Sequence, residues 1–404
     1  MPRVSLLRRL KLAKTVVWVT KRPFHARDVG RLGVGTALDV GYRCIFIDGS
    51  NALHPEAVNP PPHPLDHPDL EVRRPSSGRA LVGEINSLGA VDLVIPTTAT
   101  MGLSPRYVAA MRAVSRLDAP YLVIAPYPIP VHAPPGTTRP RIGRLRDRLR
   151  AFDPANSLIG RLPHGWLGVR QADYALYSCT LSAELRNNLV GATTVPIYSH
   201  SPDYDELLSS GAMDLPVRDQ AVFIDQYMPF HPDALRKGTG HLDPQEYYGQ
   251  LNRVFERFER EYGMEVVIAA HPRADYAEKP WCFPGRRIET GRTIATIAES
   301  RHVFGHYSVA LSMAISLRKP ITLLSSTALL AHHVSAPTYY WGYATELRLP
   351  LGMMDGDIDA IDFGHADNGP GPRFEEYEQR YLRHPLSSGS PLWSTVFSRI
   401  LGEN

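Results

Sequence analysis

Between Ala221 and Ser326 the sequence repeats one pattern four times: a short apolar run that ends on a polar residue. The runs are AVFI, EVVIAA, HVFG and ITLL, and the residues that close them are Asp225, His271, His306 and Ser325. Strands that are apolar without alternation are buried on both faces, which requires a parallel sheet covered by helices. Helical patterns at Pro244 to Tyr262 and in YSVALSMAISL supply the crossovers that parallel strands need. Open sheets of this kind bind ligands outside the carboxyl ends of their strands. One rim of one sheet is therefore expected to carry an acid, imidazoles and hydroxyls.

The N-terminal half alternates in the same way. TVVWVT (15–20) and YRCIFID (42–48) read as strands around a helical stretch, 25–41, that contains Gly30, Gly33 and Gly35. These glycines do not form GxGxxG and no acid follows at the expected distance, so a dinucleotide fingerprint is not supported. They either let the helix pack closely or let a ligand approach the backbone. VDLVIPTTA (91–99), APYLVIAPYP (119–128) and TTVPIYSHS (193–201) read as further strands. SPRYVAAMRAVSRL and QADYALYSCTLSAELRNNL (171–189) read as helices. The stretch 54–76 is rich in proline and reads as coil, and a proline-broken segment does not preorganise His54, His63 and His67 as metal ligands. The basic stretch 134–152 is either a solvated helix or a rim segment that attracts an anionic acceptor or bilayer. Apolar periodicity stops at 201–219, where a linker is expected. Residues 339–364 read as irregular, and the remainder as terminal helices.

A chain of 404 residues suits two domains. We expect one domain over 1–210, a second over 211–375, and terminal helices over 376–404. A net charge of +3 gives no reason to propose nucleic acid. Three scattered cysteines (Cys44, Cys179, Cys282) exclude a disulfide framework and fit a reducing cytoplasm. No apolar run reaches the roughly 18–20 residues of a spanning helix. The start mixes leucines with Arg3, Arg8, Arg9, Lys11 and Lys14 and lacks a cleavage site. It is a solvated arm, or a peripheral contact with an anionic membrane surface.

Each polar residue of the rim has a chemical use. Asp225, at a strand end with no helix behind it to cap, is placed as a general base or nucleophile. His231 and Asp233 either share that site or shape its loop. His271-Pro272-Arg273 pairs an imidazole with a guanidinium at a strand end, a ready phosphate contact. Gly305 ends a strand and Ser308 precedes a helix whose unpaired amides favour a phosphate, although Ser308 as a simple cap explains it too. Ser325 and Ser326 close the last strand of the set.

The string FIDQY, AAHPR and GHYSVAL followed by a Lys-Pro strand resembles the bacterial GT-B transferases that use CMP-sugars, across residues 220–330. These are the sialyltransferase, polysialyltransferase and Kdo-transferase types of capsule and lipopolysaccharide synthesis, and the pattern is most similar to the retaining β-Kdo transferases. The resemblance implies an α/β GT-B fold: two Rossmann-like domains facing a central cleft, with C-terminal helices crossing back. It implies a CMP-activated 2-keto sugar acid as donor, a glycan or glycolipid acceptor, no metal or other cofactor, and a cytoplasmic protein peripheral to the inner membrane. It makes Asp225 the nucleophile. His271, Arg273, Gly305, Ser308, Ser325 and Ser326 become the donor-binding set, with His271 also counted as catalytic. Inverting members place the acid in the first domain, where Asp48 and Asp92 are the candidates. Ser312 and Met313 stand where an acid often binds ribose, leaving Glu346 or Asp355 for that part. A transferase or epimerase that uses a UDP-sugar, and a non-catalytic assembly protein, are the alternatives.

Overall fold

β-Branched and aromatic residues dominate TVVWVT and RCIFID, and both segments are strands buried on their two faces. The computed structural model describes residues 14–54, 65–97, 105–134, 162–231, 242–332, 335–363 and 371–402. The chain divides into two compact units. Unit 1 comprises Met1–Tyr127, Arg139–Pro202 and His384–Asn404, and unit 2 comprises Pro128–Thr138 and Asp203–Arg383.

In unit 1 the strands β1 (Thr15–Thr20), β2 (Arg43–Asp48), β3 (Leu70–Arg73) and β4 (Leu93–Pro96) form a parallel sheet in the order β3-β2-β1-β4. A second parallel sheet holds β5 (Leu122–Ile124), β6 (Tyr174–Tyr177) and β7 (Val195–Tyr198). A bridge between Val94 and Tyr121 sets β5 beside β4. Successive side chains of β1 face opposite ways, so Val17 and Val19 join one core while Val16 and Trp18 join the other. The second core is closed by the helix Leu392–Leu401 through Leu392, Trp393, Val396 and Phe397.

In unit 2 the strands β8 (Gln220–Ile224), β9 (Glu265–Ala270), β10 (Ile288–Thr290), β11 (His302–Gly305), β12 (Ile321–Ser325) and β13 (Leu351–Met353) are all parallel, in the order β10-β9-β8-β11-β12-β13. The crossover between β8 and β9 is the helix Pro244–Tyr262. Its start is set by Asp243, whose side chain accepts the Glu246 amide, and by Pro244 in the first turn; Gly263 ends it at φ 65°. Tyr247, Leu251, Val254, Phe255 and Phe258 recur at helical spacing and are buried against the sheet. Burying each of the two phenylalanines contributes roughly 2–3 kcal/mol.

Four expectations change. The stretch 171–189 is not one helix: YALY is the strand β6, and a short helix, Thr180–Glu184, follows behind a Cys179 cap. A brief apolar run inside a parallel sheet carries no period that separates strand from helix. The expected linker 201–219 contains the helix Pro202–Ser209. The expected coil 54–76 contains β3, an edge strand on β2. The irregular stretch 339–364 lies partly in the helix Ala336–Leu347 and supplies β13. Asp233, His63, the basic stretch 135–152 and the first thirteen residues lie outside the described residues.

Candidate functional site

Chain order explains where a ligand fits in unit 2. From β8 the chain builds β9 and β10 to one side and then returns to build β11, β12 and β13 on the other. The connections after β8 and β11 therefore leave in opposite directions and open a crevice at their carboxyl ends. The register puts Ile224 level with Ala269 and Gly305, and Gly305 level with Leu323. Asp225, the turn after Ala270 and the segment 306–308 thus meet at one rim.

Asp225 stands at this rim and is buried, at 4% exposure. Its Oδ1 accepts the Tyr227 amide at 2.8 Å; its Oδ2 accepts the His271 amide at 3.2 Å and the Tyr276 hydroxyl at 2.8 Å. Burial raises the carboxyl pKa, and the hydrogen bonds from Tyr227, Tyr276 and His271 partly offset that rise. Tyr276 lies 3.2 Å from the Tyr248 hydroxyl, so two phenols back the carboxylate. Tyr227 adopts a left-handed φ of 52°, a conformation that costs a non-glycine residue about 1 kcal/mol or more and that the Asp225 contact holds in place. As it stands, Asp225 ties the end of β8 to the turn after β9, and among the described residues Tyr276 is its one side-chain donor.

His271 is half-buried, beside that tie. Its Nδ1 accepts the Arg273 amide at 3.2 Å, which puts the proton of the neutral ring on Nε2. The His231 ring meets it edge to face at 5.1 Å, and the Arg273 side chain is exposed. Proline fixes the turn, and Ala274 closes it by donating to the His271 carbonyl.

Three expected rim residues sit differently. His306 does not face the rim. It is fully buried, donates from Nδ1 to the Leu324 carbonyl at 2.7 Å and accepts the Tyr247 hydroxyl on Nε2 at 2.8 Å. Burial lowers its pKa to about 4, so the ring is a neutral link between β11, β12 and the long helix. Ser325 is fully buried as well, and its hydroxyl lies beside that of Tyr340. Ser326 is buried and accepts the Leu329 amide at 3.2 Å, which commits it to capping the helix Thr327–His332.

Gly305 ends β11, where an added Cβ would meet Leu311 at 3.0 Å. Ser308 is half-buried in the turn that follows, not at a helix start: the helix is Leu311–Ser316. The Ser308 hydroxyl accepts the Ala310 amide at 3.2 Å, and its carbonyl accepts the Tyr343 hydroxyl at 3.1 Å. The turn is therefore fixed from below by an aromatic residue of the helix Ala336–Leu347.

The alternatives for ribose have other partners. Glu346 receives His132 and the Tyr381 hydroxyl, each at 2.8 Å. Asp355 accepts the Thr327 amide. Ser312 and Met313 are buried in their helix. In unit 1, Asp48 closes β2 and accepts the Ser50 amide and hydroxyl at 3.0 and 2.6 Å. Asp92 precedes β4 and accepts the Thr15 amide, so it belongs to the amino ends of the strands. Among the described residues no group of three His, Cys, Asp or Glu side chains converges as metal ligands. No described helix is long and apolar enough to cross a membrane.

The sequence did not single out Tyr276, Tyr248 or Tyr343. Tyr276 follows the His-Pro-Arg turn so closely that only a fold-back onto Asp225 was missing.

No protein family model matches the chain, and no curated protein matches it in sequence. Solved structures do. CalG4, the calicheamicin glycosyltransferase, aligns with a TM-score of 0.52 at 12% identity, over 96% of this chain and 98% of its own. The wall teichoic acid polymerase TagF gives 0.47 at 12% identity, over 96% and 89%. The UDP-GlcNAc 2-epimerase from Methanocaldococcus jannaschii gives 0.48 at 11% identity, over 97% and 99%. The likeness to CalG4 establishes the fold class: parallel α/β, of the GT-B glycosyltransferase type.

Proposed function

We propose that the chain is a glycosyltransferase whose nucleotide-activated donor is held at the β8/β11 crevice of unit 2. The observation that carries this reading is the convergence, at a topological switch point, of Asp225, the His271-Pro272-Arg273 turn and the turn through Ser308. A fold alone supports no activity; a rim that joins a buried carboxylate to phosphate-type donors does.

In the finer form of this reading the donor is a CMP-linked 2-keto sugar acid and the acceptor a glycan or glycolipid of capsule or lipopolysaccharide. His271 Nε2–H, the Arg273 guanidinium and the Ser308 turn stabilise charge on the departing phosphate, with no metal needed. The bond between the anomeric carbon and the phosphate oxygen breaks, and its electron pair leaves with CMP. Asp225 either bonds to that carbon, in which case the acceptor hydroxyl later displaces it with net retention, or takes the proton of a hydroxyl that attacks directly, with inversion. Attack on carbon through Oδ2 would displace one of its two hydrogen bonds, whereas Oδ1 accepts the Tyr227 amide and keeps a second lone pair; proton transfer gains from the pKa that burial raises. A specific observation favours a second role: with both oxygens bonded, Asp225 is also a structural tie, and the base then comes from elsewhere.

The experiment is a melting screen followed by a transfer assay. CMP raises the midpoint while UDP and GDP do not; at 100 times Kd the gain is about 2.7 kcal/mol. His271→Ala weakens CMP binding by about tenfold, the loss of one charged hydrogen bond. Asp225→Ala abolishes transfer and keeps CMP binding, and transfer persists in EDTA. Full transfer by Asp225→Ala reduces Asp225 to the tie, and stabilisation by UDP alone moves the donor to the UDP-sugar class.

A further inference from the structure

Unit 1 has a switch point of its own. The order β3-β2-β1-β4 means that the chain leaves β1 to one side and later returns to its other side as β4. At the carboxyl ends of these two strands lies a cavity of about 300 Å³, within the range of small-molecule sites. Lys21 and Arg22 line it from the end of β1, Thr97 from the end of β4, and Arg27 and Arg31 from the helix Ala26–Arg31. Topology and charge thus single out the same place independently.

Its electrostatics are unbalanced. The one carboxylate among the described lining residues, Asp28, accepts the His25 amide on Oδ2 at 2.8 Å and keeps Oδ1 at 4.0 Å from Arg27. Among the described residues no ion pair engages Lys21 or Arg22. Lys21 Nζ lies 5.5 Å from the Tyr107 ring centre. Burial first, and then the neighbouring Arg22, depress the Lys21 pKa, and the charge of an arriving anion counters that shift. The lining also has an apolar part, which includes Phe46, Ile124 and Tyr127.

We propose that Lys21, Arg22 and Arg27 form a binding site for a phosphomonoester or diphosphate whose non-ionic part lies along Phe46, Ile124 and Tyr127. Even the three cations Lys21, Arg22 and Arg27 against one committed carboxylate exceed what the single charge of a carboxylate ligand balances. They suit the two or more charges of a phosphate group, and guanidinium forks match its oxygens. Resting on the transferase reading, this phosphate belongs to the acceptor; the site itself does not depend on that reading.

The test is calorimetric titration of the full chain with inorganic pyrophosphate, with CMP titrated in parallel. Pyrophosphate is expected to bind saturably, and Arg22→Ala and Arg27→Ala each weaken it by about tenfold. CMP binding and the melting midpoint stay unchanged in both variants, whose side chains are exposed and whose loss leaves the core intact. Arg301→Ala, which removes an exposed pair with Asp219 in unit 2, leaves pyrophosphate binding unchanged. Flotation with vesicles containing phosphatidic acid, a lipid phosphomonoester, separates the sources. Vesicle binding that needs Arg22 and Arg27 and is competed by pyrophosphate assigns a lipid-borne phosphate, and pyrophosphate binding without it assigns a soluble one. Pyrophosphate that does not bind, or that binds the two variants as well as the unchanged chain, overturns the site. CMP binding in that same outcome leaves the transferase reading standing, and loss of CMP binding alone sinks the transferase reading while the anion site survives.

Discussion

Asp225 shows what a single residue discloses in sequence and what it conceals. Its place at a strand end was legible, because AVFI is the first of four short apolar runs that each end on a polar residue and the acid follows it directly. Its bonding was not, because Tyr276 and the His271 amide reach it only through the pairing of β8 with β9. His306 was misplaced for a related reason: neighbouring side chains at a strand end point opposite ways, and composition does not say which points inward. The bonds around Asp225 make a prediction. Tyr276→Phe removes a hydrogen bond that lowers the Asp225 pKa, so that pKa rises further. If Asp225 must be ionised for transfer, the acid limb of kcat/KM moves to higher pH in Tyr276→Phe. Stability falls by about 1–3 kcal/mol, because a buried acceptor loses its donor. An unmoved acid limb, with the stability loss present, identifies Asp225 as a tie and not the titrating group.

Among the elements, the long ones were legible and the short edge strands were not. Pro244–Tyr262 carries a cap, a proline, an apolar stripe and a terminal glycine, so every local signal agrees. Strands β10 and β13 have three residues each, too few for any period, and they are strands because a neighbour offers a free edge. The resemblance implied terminal helices that cross back, but in Leu392–Leu401 itself only an apolar stripe was visible, with no residue as its address. Its address is Gly33, which at φ 73° has room for no Cβ: one would lie 2.3 Å from Trp393 Cδ2. Trp393 also donates to the Arg31 carbonyl at 3.1 Å. Gly33→Ala must therefore displace the indole and break that bond, at a cost of about 3 kcal/mol or more. Gly30→Ala is the contrast: it lies in the preceding helix with nothing within 4 Å of an added Cβ, and it stabilises by about 0.4–1 kcal/mol. Denaturant midpoints at a constant m-value separate the two, and equal midpoints remove the role given to Trp393.

Over the whole molecule, the repetition of βα alternation in both halves was enough to read two α/β units, and each proves to have its own switch point. What the sequence could not assemble was the set of residues around each one. Lys21 and Arg22 are distant in sequence from Thr97 and Ile124, and only strand order brings them to one cavity. Strand order also decides which histidines are sealed inside, and that governs how global stability responds to acid. His302 and His306 are buried, and burial lowers their pKa to about 3 and about 4. An unfolded chain protonates both near pH ~6.5. Below that pH the unfolded state binds protons that the folded state refuses, so stability declines as pH falls from about 6.5 toward 4, by up to about 1.4 kcal/mol per pH unit for each histidine. Asp225 acts in the opposite sense. Its raised pKa lets the folded state keep a proton the unfolded state has lost, so acidification toward 3.8 favours folding through that group. Two histidines against one carboxylate leave a net loss. Urea midpoints measured at about pH 7, 6 and 5 are expected to fall steadily. His306→Gln lowers stability at every pH, since it disrupts the bonds to Tyr247 and Leu324, but it removes one histidine's share of the slope. A slope in His306→Gln as steep as in the unchanged chain would mean that His306 is not held neutral in the folded state.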